Sequence, residues 1–371
     1  MNVLGIETSC DETAAAVVRT TGDPVRPWRV LSNVVASQTD IHREWGGIVP
    51  ELASRQHVRD ICGVVERALA DAQASWPDID AIAVTQGPGL IGSLLVGVSF
   101  AKAAAAALGR PVIAVHHLAG HIESIFLEHG PIPLPAAILV VSGGHTSLYF
   151  VEEPGRYQLV GRTRDDAAGE AYDKVARVLG LGYPGGPVVD RRAREGRDDA
   201  IDLPRPRFTH RDRNALPAAM ASRVAAGEAV AEFSFSGLKT AVIRQLQARG
   251  VTVATGLDAA ADVSPLTAQD VNDFCASFQR VVVQSLVERT FDAARLLGAR
   301  SVGIAGGVSA NSRLRQDALA RGERDGLPVF VPPLALSTDN AAMIAAAGLR
   351  KIERGVTSSL DFNALASFDI E

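Results

Sequence analysis

The chain has 371 residues, of which 47% are hydrophobic and 21% charged, and its formal net charge is −5. This length and composition predict two domains of ordinary size, each burying its own core. The negative charge argues against a strongly basic nucleic-acid-binding surface, although a local basic patch is compatible with it. Three widely spaced cysteines without a CxxC pair, and a start without a basic leader, predict a reduced, cytoplasmic protein.

The first part of the chain predicts a sheet flanked by helices. Apolar runs predict strands at 2–8, 14–19, 28–37 and 81–86, and helices at 51–72 and 92–108. The loop GPGLIGS before the second helix could present backbone N–H groups to an anion, but close packing of the helix explains its glycines nearly as well. It matches neither GxxxxGK[ST] nor GxGxxG. Lys102 interrupts that apolar helix, which favours burial between protein layers over a membrane span.

A polar turn joins the first two predicted strands. It carries Asp11 and Glu12 between two apolar flanks, which favours a metal or phosphate site over an ordinary polar turn. His42 and His57 follow further along, and isolated histidines of this kind are more often structural than functional.

The stretch PVIAVHHLAGHIESIFLEH holds the most informative spacing. A strand at 112–115 precedes a helix at 118–126, and His117 and His121 are four residues apart, so on a helix they share one face. Two imidazoles at this spacing are half of a Zn²⁺ or Fe²⁺ site, although two unrelated polar histidines remain an alternative. Leu118 stands where a zincin HExxH motif has its glutamate, so a metallopeptidase would lack its general base.

The remainder of the chain repeats this organisation. Strands are predicted at 136–141, 146–151, 158–162, 301–305 and 328–331, and helices at 170–179, beginning within 233–240, at 268–297 and at 312–321. The segment 165–169 (DDAAG) is predicted to cap the helix at 170–179. The Arg-rich segment 191–231 predicts either a solvated surface insertion or an RNA-facing patch, and 252–265 predicts a linker. The sequence LSTDN opens the last long helix, where Thr338 or Asp339 could be the cap.

Each half thus opens with a polar-tipped hairpin and later has a strand, a Gly-rich loop and a helix. This duplicated pattern predicts an α/β fold of the actin/sugar-kinase/heat-shock-ATPase class, with two lobes and a central cleft. The predicted boundaries are 1–134 for the N-terminal lobe and 135–371 for the C-terminal lobe, with helical insertions at about 165–300. In that layout Asp339 can join the two histidines as a two-histidine, one-carboxylate set with open coordination positions.

With these motifs in hand, the sequence resembles the bacterial tRNA N6-adenosine threonylcarbamoyltransferases, the TsaD family (formerly Gcp). The matching stretches follow the family order across nearly the whole chain: IETSCDETAAAVV, GGIVPELASRQH, TQGPGLIGSLLVG, HHLAGH, VSGGHTSL, DDAAGEAYDKVARVLGLGYPGGP, FSFSGLKTAV, GGVSANSRLR and STDNAAMIA. The segments 191–231 and 251–265 look longer than the family core requires. The resemblance implies transfer of the threonylcarbamoyl group from threonylcarbamoyl-AMP to N6 of the adenine 3′ of the anticodon, in tRNAs that read codons beginning with A, with release of AMP.

The resemblance also implies roles for individual residues. It assigns His117, His121 and Asp339 as ligands of one divalent metal ion, Fe²⁺ or Zn²⁺, with Mg²⁺ alongside a nucleotide as a further option. It places Asp11 and Glu12 at the reaction site, where Glu12 is a candidate for orienting the donor or easing deprotonation of the attacking amine. The implied substrate-binding residues are Val140, Val141, Ser142, Gly143, Gly144 and His145 on the phosphate side, Asp173, Gly186 and Asp190 at the ribose, and Asn311 at the adenine.

The implied partners are tRNA, a paralogous TsaB-type subunit and a TsaE-type P-loop ATPase, with no membrane. Two alternatives share the fold: an ATP-dependent small-molecule kinase, and a nucleotide-binding scaffold subunit. The histidine pair argues against the kinase, because Mg²⁺–ATP sites prefer oxygen ligands.

Overall fold

The computed structural model describes residues 1–205, 231–252 and 265–370. The chain divides into two compact units. The first comprises residues 1–133, 151–157 and 332–371, and the second comprises 134–150 and 158–331. The chain first passes from the first unit to the second between residues 133 and 134, one residue from the predicted boundary at 134/135. The assignment of 332–371 to the C-terminal lobe is wrong, because the helix in this segment packs on the first sheet.

The first unit is built on a five-stranded sheet. Its strands are β1 (Asn2–Glu7), β2 (Glu12–Thr20), β3 (Trp28–Ser37), β4 (Ala81–Gly87) and β5 (Val112–His116). They lie in the order β3-β2-β1-β4-β5. Strand β2 is antiparallel to both β1 and β3, whereas β1, β4 and β5 are parallel. The parallel strands therefore end at one edge, where polar residues can gather.

A second five-stranded sheet, most of which lies in the second unit, repeats this arrangement. Its strands are β6 (Ala136–Val141), β7 (Thr146–Glu153), β8 (Arg156–Arg162), β9 (Ser301–Ala305) and β10 (Val329–Phe330). Their order, β8-β7-β6-β9-β10, corresponds strand for strand to that of the first sheet. The predicted duplication is therefore confirmed, and the chain has the α/β fold of the actin/sugar-kinase/heat-shock-ATPase class.

Eleven α-helices are present in the described residues. In chain order they are α1 (Thr39–Arg43), α2 (Pro50–Asp71), α3 (Ile91–Leu108), α4 (His117–His129), α5 (Ala168–Val178), α6 (Gly185–Ala193), α7 (Ser236–Gln247), α8 (Ala268–Leu296), α9 (Ser312–Asp325), α10 (Leu334–Ser337) and α11 (Ala341–Glu353).

Alternation along β1 separates two layers of helices in the first unit. Leu4 and Ile6 point into a core formed with α2 and α3. Gly5 faces the opposite side, where a side chain would meet the backbone oxygen of Ala341 at 2.2 Å. This close approach brings the start of α11 against β1, and α11 also contacts α4.

Helix α3 is the apolar helix whose membrane role the sequence disfavours. By length and composition alone it could cross a membrane, and 33% of its apolar window is buried. Leu94 and Val98 are buried in the core of the first unit, whereas Ile91 and Leu95 are each 48% exposed. The helix thus packs by one face, so the prediction of burial between layers holds for that face only.

Two helix starts are capped differently from the sequence expectation: α5 begins after Ala167, inside the predicted segment but without a side-chain cap, and α11 is capped by Asn340. Asp165 does not cap α5. It accepts hydrogen bonds from the backbone N–H groups of Phe235 (2.7 Å) and Ser236 (3.2 Å) and so caps α7. Asn340 caps α11 by accepting from Met343 N at 3.1 Å. Asp339 is therefore not needed as a cap. The parts of the predicted insertion and linker at 206–230 and 253–264 lie outside the described residues.

Candidate metal centre and active site

Three predicted ligands meet in the first unit. His117 and His121 lie one turn apart on α4, with ring centroids 4.8 Å apart. Asp339 Oδ1 lies 3.5 Å from Nε2 of His117 and 3.2 Å from Nε2 of His121. One ligand atom from each residue falls within 4.8 Å of the others, which is a spacing that one ion can bridge. The structure thus brings together the set that the sequence assembles from two distant segments.

The environment of His121 favours a bound metal ion. Its side chain is fully buried, Nε2 has only the Asp339 carboxylate beside it at 3.2 Å, and Nδ1 makes no hydrogen bond to any residue that the structure describes. A buried polar group without a partner costs about 1–3 kcal/mol. A cation bound by Nε2 would remove part of that cost, so the histidine fits a metal ligand.

The charges around the ligands also favour a cation. Burial lowers the pKa of His117, but the carboxylates of Asp339 and Glu7 outweigh burial and raise it well above its usual range. Burial raises the pKa of Asp339, but both histidines outweigh it and hold that pKa well below its usual range. Burial lowers the pKa of His121, which keeps it neutral. A divalent ion can replace the proton held between His117 and Asp339.

The donor set indicates the class of metal. Two imidazoles and one carboxylate suit Fe²⁺ or Zn²⁺ and leave coordination positions open, whereas Mg²⁺ prefers oxygen ligands. The residues therefore fit the predicted ion class, and Fe²⁺ and Zn²⁺ both remain compatible with them.

The predicted acidic turn lies beside this group. Asp11 is 8% exposed, and Glu12 begins β2. Burial raises the pKa of Glu12 well above its usual range, and the negative charges of Asp339 and Asp11 raise it further. A raised pKa makes a carboxylate a stronger proton acceptor, which is the direction that suits a general base.

His42 and His57 are structural, as expected for isolated histidines. His57 Nδ1 is paired with the Thr13 hydroxyl at 2.8 Å, and Nε2 lies 3.0 Å from the Cys10 carbonyl oxygen. His42 contacts Gln38 at 3.3 Å. His57 therefore holds the acidic turn in place through Thr13 and Cys10, on either side of Asp11 and Glu12, and is not part of the ligand set.

The Gly-rich loop before α3 serves packing. Leu90 N donates to Ser9 O at 2.8 Å, and a side chain at Gly89 would lie 2.5 Å from the same oxygen. The loop is thus held against the turn after β1, as the close-packing alternative predicts.

The predicted phosphate-side loop follows β6 in the second unit. Val140 and Val141 are buried, so only their backbone could contact a ligand. Ser142 N donates to His145 O at 2.8 Å, which closes the turn. Gly143 and Gly144 are exposed, and a side chain at either position would meet no atom within 4 Å. The tip of this turn is open enough to meet an anion.

The other predicted substrate residues also gather in the second unit. Asp173 accepts a hydrogen bond from Gly185 N at 2.7 Å, next to Gly186, beside which there is open space. Asp190 accepts from the hydroxyl of Ser312 at 2.7 Å.

Asn311 adjoins Ser312 and is engaged by the protein itself. Its Oδ1 caps α9 by accepting from Leu314 N at 3.0 Å, and its Nδ2 donates to Gln279 at 2.8 Å. Asn311 therefore orders the loop that a nucleotide would meet.

Most arginines of the Arg-rich segment are paired where the segment is described. Three of its cations meet acidic or amide side chains. The contacts are Arg192 with Asn272, Arg194 with Asp190, and Arg197 with Asp273. The solvated-surface alternative fits these residues better than an RNA-facing patch.

Comparison with known proteins decides the family. The family described as "TsaD: tRNA N6-adenosine threonylcarbamoyltransferase" matches residues 29–346. The chain belongs to this family. Proteins with that name are 49% identical in Moorella thermoacetica, 50% in Syntrophomonas wolfei and 50% in Symbiobacterium thermophilum. The matches cover 98%, 93% and 98% of this chain, and 96%, 90% and 95% of those relatives.

Membership of the threonylcarbamoyltransferase family does not favour the kinase and scaffold alternatives. The metallopeptidase alternative gains no support either. Leu118 stands where the HExxH motif has its glutamate, and Ala119 and Gly120 follow it, so the general base is missing.

One polar residue of the metal centre, Glu7, was not predicted from the sequence. Glu7 ends β1, is fully buried and lies 3.0 Å from His117 Nδ1. The available signal was a single acidic residue at the end of an apolar strand whose parallel neighbours end beside it.

Proposed function

We propose that the chain transfers a threonylcarbamoyl group from threonylcarbamoyl-AMP to N6 of an adenosine in tRNA. The acceptor is the adenine 3′ of the anticodon in tRNAs that read codons beginning with A. The observation that carries this proposal is the convergence of His117, His121 and Asp339 in a chain that matches the family over nearly its full length. The full burial of His121, with Nε2 directed at the Asp339 carboxylate, supports a bound metal in particular.

The reaction asks mainly for positioning and charge stabilisation. An exocyclic adenine amine is a weak nucleophile, whereas AMP is a good leaving group. The N6 nitrogen forms a bond to the carbamoyl carbon, the bond from that carbon to the phosphate oxygen breaks, and one N6 proton must be accepted. Glu12 has the raised pKa that suits this acceptor.

His117, His121 and Asp339 would hold one divalent ion, Fe²⁺ or Zn²⁺, whose contribution when bound is Lewis-acid stabilisation of negative oxygen. Ser142, Gly143 and Gly144 would meet the phosphate side of the donor with backbone N–H groups. Asp173, Gly186, Asp190 and Asn311 would line the nucleoside side, with Asp190 and Asn311 acting through the loop order that they impose.

The partners proposed are tRNA, a paralogous TsaB-type subunit and a TsaE-type P-loop ATPase, in the cytoplasm and without a membrane. A net charge of −5 favours tRNA binding that is shared with other subunits. The apolar side chains of Val58, Ile91 and Leu95 are 63%, 48% and 48% exposed on two packed helices. A subunit interface would remove them from water.

The test is transfer of labelled threonine to unmodified tRNA. The mixture contains this protein, an adenylate-forming enzyme, ATP, bicarbonate and the partner subunits. Wild type and His129→Ala should label tRNA, whereas His121→Ala should lose the label. His129 lies on the same helix as His121 but outside the ligand set, so it controls for loss of an α4 histidine. No label with folded wild type and confirmed adenylate formation would refute the proposal.

A further inference from the structure

Glu7 is the most completely enclosed carboxylate beside the metal ligands. It lies at the end of β1 with no exposed surface. Its Oε2 accepts a hydrogen bond from the Thr85 hydroxyl at 2.6 Å and lies 3.0 Å from His117 Nδ1. Its Oε1 accepts from the backbone N–H of Ser9. Three donors from three segments therefore converge on one carboxylate.

The orientation of His117 gives this contact a direction. Its Nδ1 faces Glu7, whereas its Nε2 faces Asp339 Oδ1 at 3.5 Å. An ionised carboxylate can only accept, so a proton belongs on Nδ1 beside Glu7; once a metal ion replaces the proton between Nε2 and Asp339, the Nε2 lone pair is directed at the ligand set. Metal-binding histidines usually donate their second N–H to a carboxylate or carbonyl, which fixes the tautomer and the ring angle.

We propose that Glu7 is a positioning residue for the metal centre: it accepts the Nδ1–H of His117 and so presents Nε2 as the ligand atom. The inference rests on the metal site of the proposed function. It also separates the two histidines, because His121 has no such acceptor among the described residues. Glu7 thus orients His117 from its Nδ1 side before the ion arrives, whereas no described residue does so for His121.

A purely structural role for Glu7 is the competing explanation, because the contacts with Thr85 and Ser9 also tie β1 to β4 and to the following turn. The two roles differ in what they affect. A structural role changes the unfolding midpoint of the metal-free protein. A positioning role changes metal affinity and the identity of the ligating nitrogen.

The experiment measures the Zn²⁺ dissociation constant of the full-length chain by competition with a chromogenic chelator. Glu7→Gln keeps the size of the side chain and should weaken Zn²⁺ binding about 10–100-fold. Thr85→Val is the matched control, because it removes a donor to the same oxygen and leaves the His117 contact in place. It should remain within about threefold of wild type.

A second measurement does not depend on whether Glu7→Gln folds. In zinc-loaded wild type labelled with ¹⁵N-histidine, and assigned with His117→Gln, His117 should show a protonated Nδ1 and a zinc-bound Nε2. Zinc bound through Nδ1, or equal affinities for wild type and folded Glu7→Gln, would overturn the inference alone. A wild-type protein without zinc affinity would overturn the metal site, and the inference with it.

Discussion

A buried ion pair joins α4, which carries the two histidine ligands, to α11, which begins just after Asp339. Glu123 follows His121 on α4 and is fully buried. Arg350 on α11 donates to it through Nε at 3.2 Å and through Nη2 at 3.1 Å. The Tyr157 hydroxyl donates to the same carboxylate at 2.7 Å, and the guanidinium lies 4.5 Å from the ring centroid of Trp28. This cluster should therefore hold α4 against α11.

Removing the cation should be costly. Arg350→Met fills a similar volume but leaves the Glu123 carboxylate buried without its counter-charge, and breaking such a pair costs about 3–5 kcal/mol. Glu123→Gln leaves a neutral group that can still accept from Tyr157, so we expect about 1–3 kcal/mol. The double variant should cost less than the sum, because it leaves no buried charge unpaired.

Urea unfolding followed by tryptophan fluorescence measures these costs. The chain has three tryptophans, Trp28, Trp45 and Trp76, and all lie in the first unit, so the signal reports on that unit. The reasoning fails if Arg350→Met lowers the free energy of unfolding by less than about 1 kcal/mol, or if the costs of the single variants simply add.

Three further outcomes are expected. Gly5→Ala should destabilise the first unit by about 1–3 kcal/mol, because the new methyl group meets the Ala341 oxygen. Gly63→Ala, in open space on α2, should not lower the free energy of unfolding. The same urea assay compares the two variants. Asp165→Ala should destabilise the second unit by about 1–2 kcal/mol at pH 7, measured by circular dichroism. Burial raises the pKa of Asp165, but its hydrogen bonds from Ser234, Phe235 and Ser236 lower it overall. The stabilisation by Asp165 is therefore present above the unfolded pKa and is lost as pH falls through the folded pKa. If Asp165→Ala stayed less stable than wild type in acid, the assignment would be contradicted. The pKa of Glu12 is raised, so transfer activity should increase as pH rises through that pKa. Glu12→Gln should lower the rate about 10²–10⁴-fold and should also abolish this increase of activity with pH. A pH profile that Glu12→Gln leaves unchanged would exclude Glu12 as the base.

Local patterns were enough for the secondary structure and for half of the metal centre. The strand predicted at 301–305 matches β9 residue for residue, and the strand at 28–37 matches β3. Short apolar runs with turn residues at each end carry that information within a few positions. The spacing of His117 and His121 is equally local, since any helix places residues i and i+4 on one face.

Cap assignments show where local reasoning stopped. Asp165 lies just before α5, so proximity along the chain favoured that helix, yet it caps α7, which begins at Ser236. The same limit applies to Asp339, whose neighbour Asn340 takes the cap of α11. A cap needs only a carboxylate or amide near free N–H groups, and many segments supply one.

The sequence by itself determined the elements, the duplicated order of strands and the histidine pair, because each depends on residues within a few positions of one another. The tertiary structure alone decided that residues 332–371 belong with the first sheet and that Glu7 faces His117. It also decided that His121 is fully buried with Asp339 at its Nε2. Those facts depend on which distant segments pack together, and packing is set by shape and burial over the whole unit.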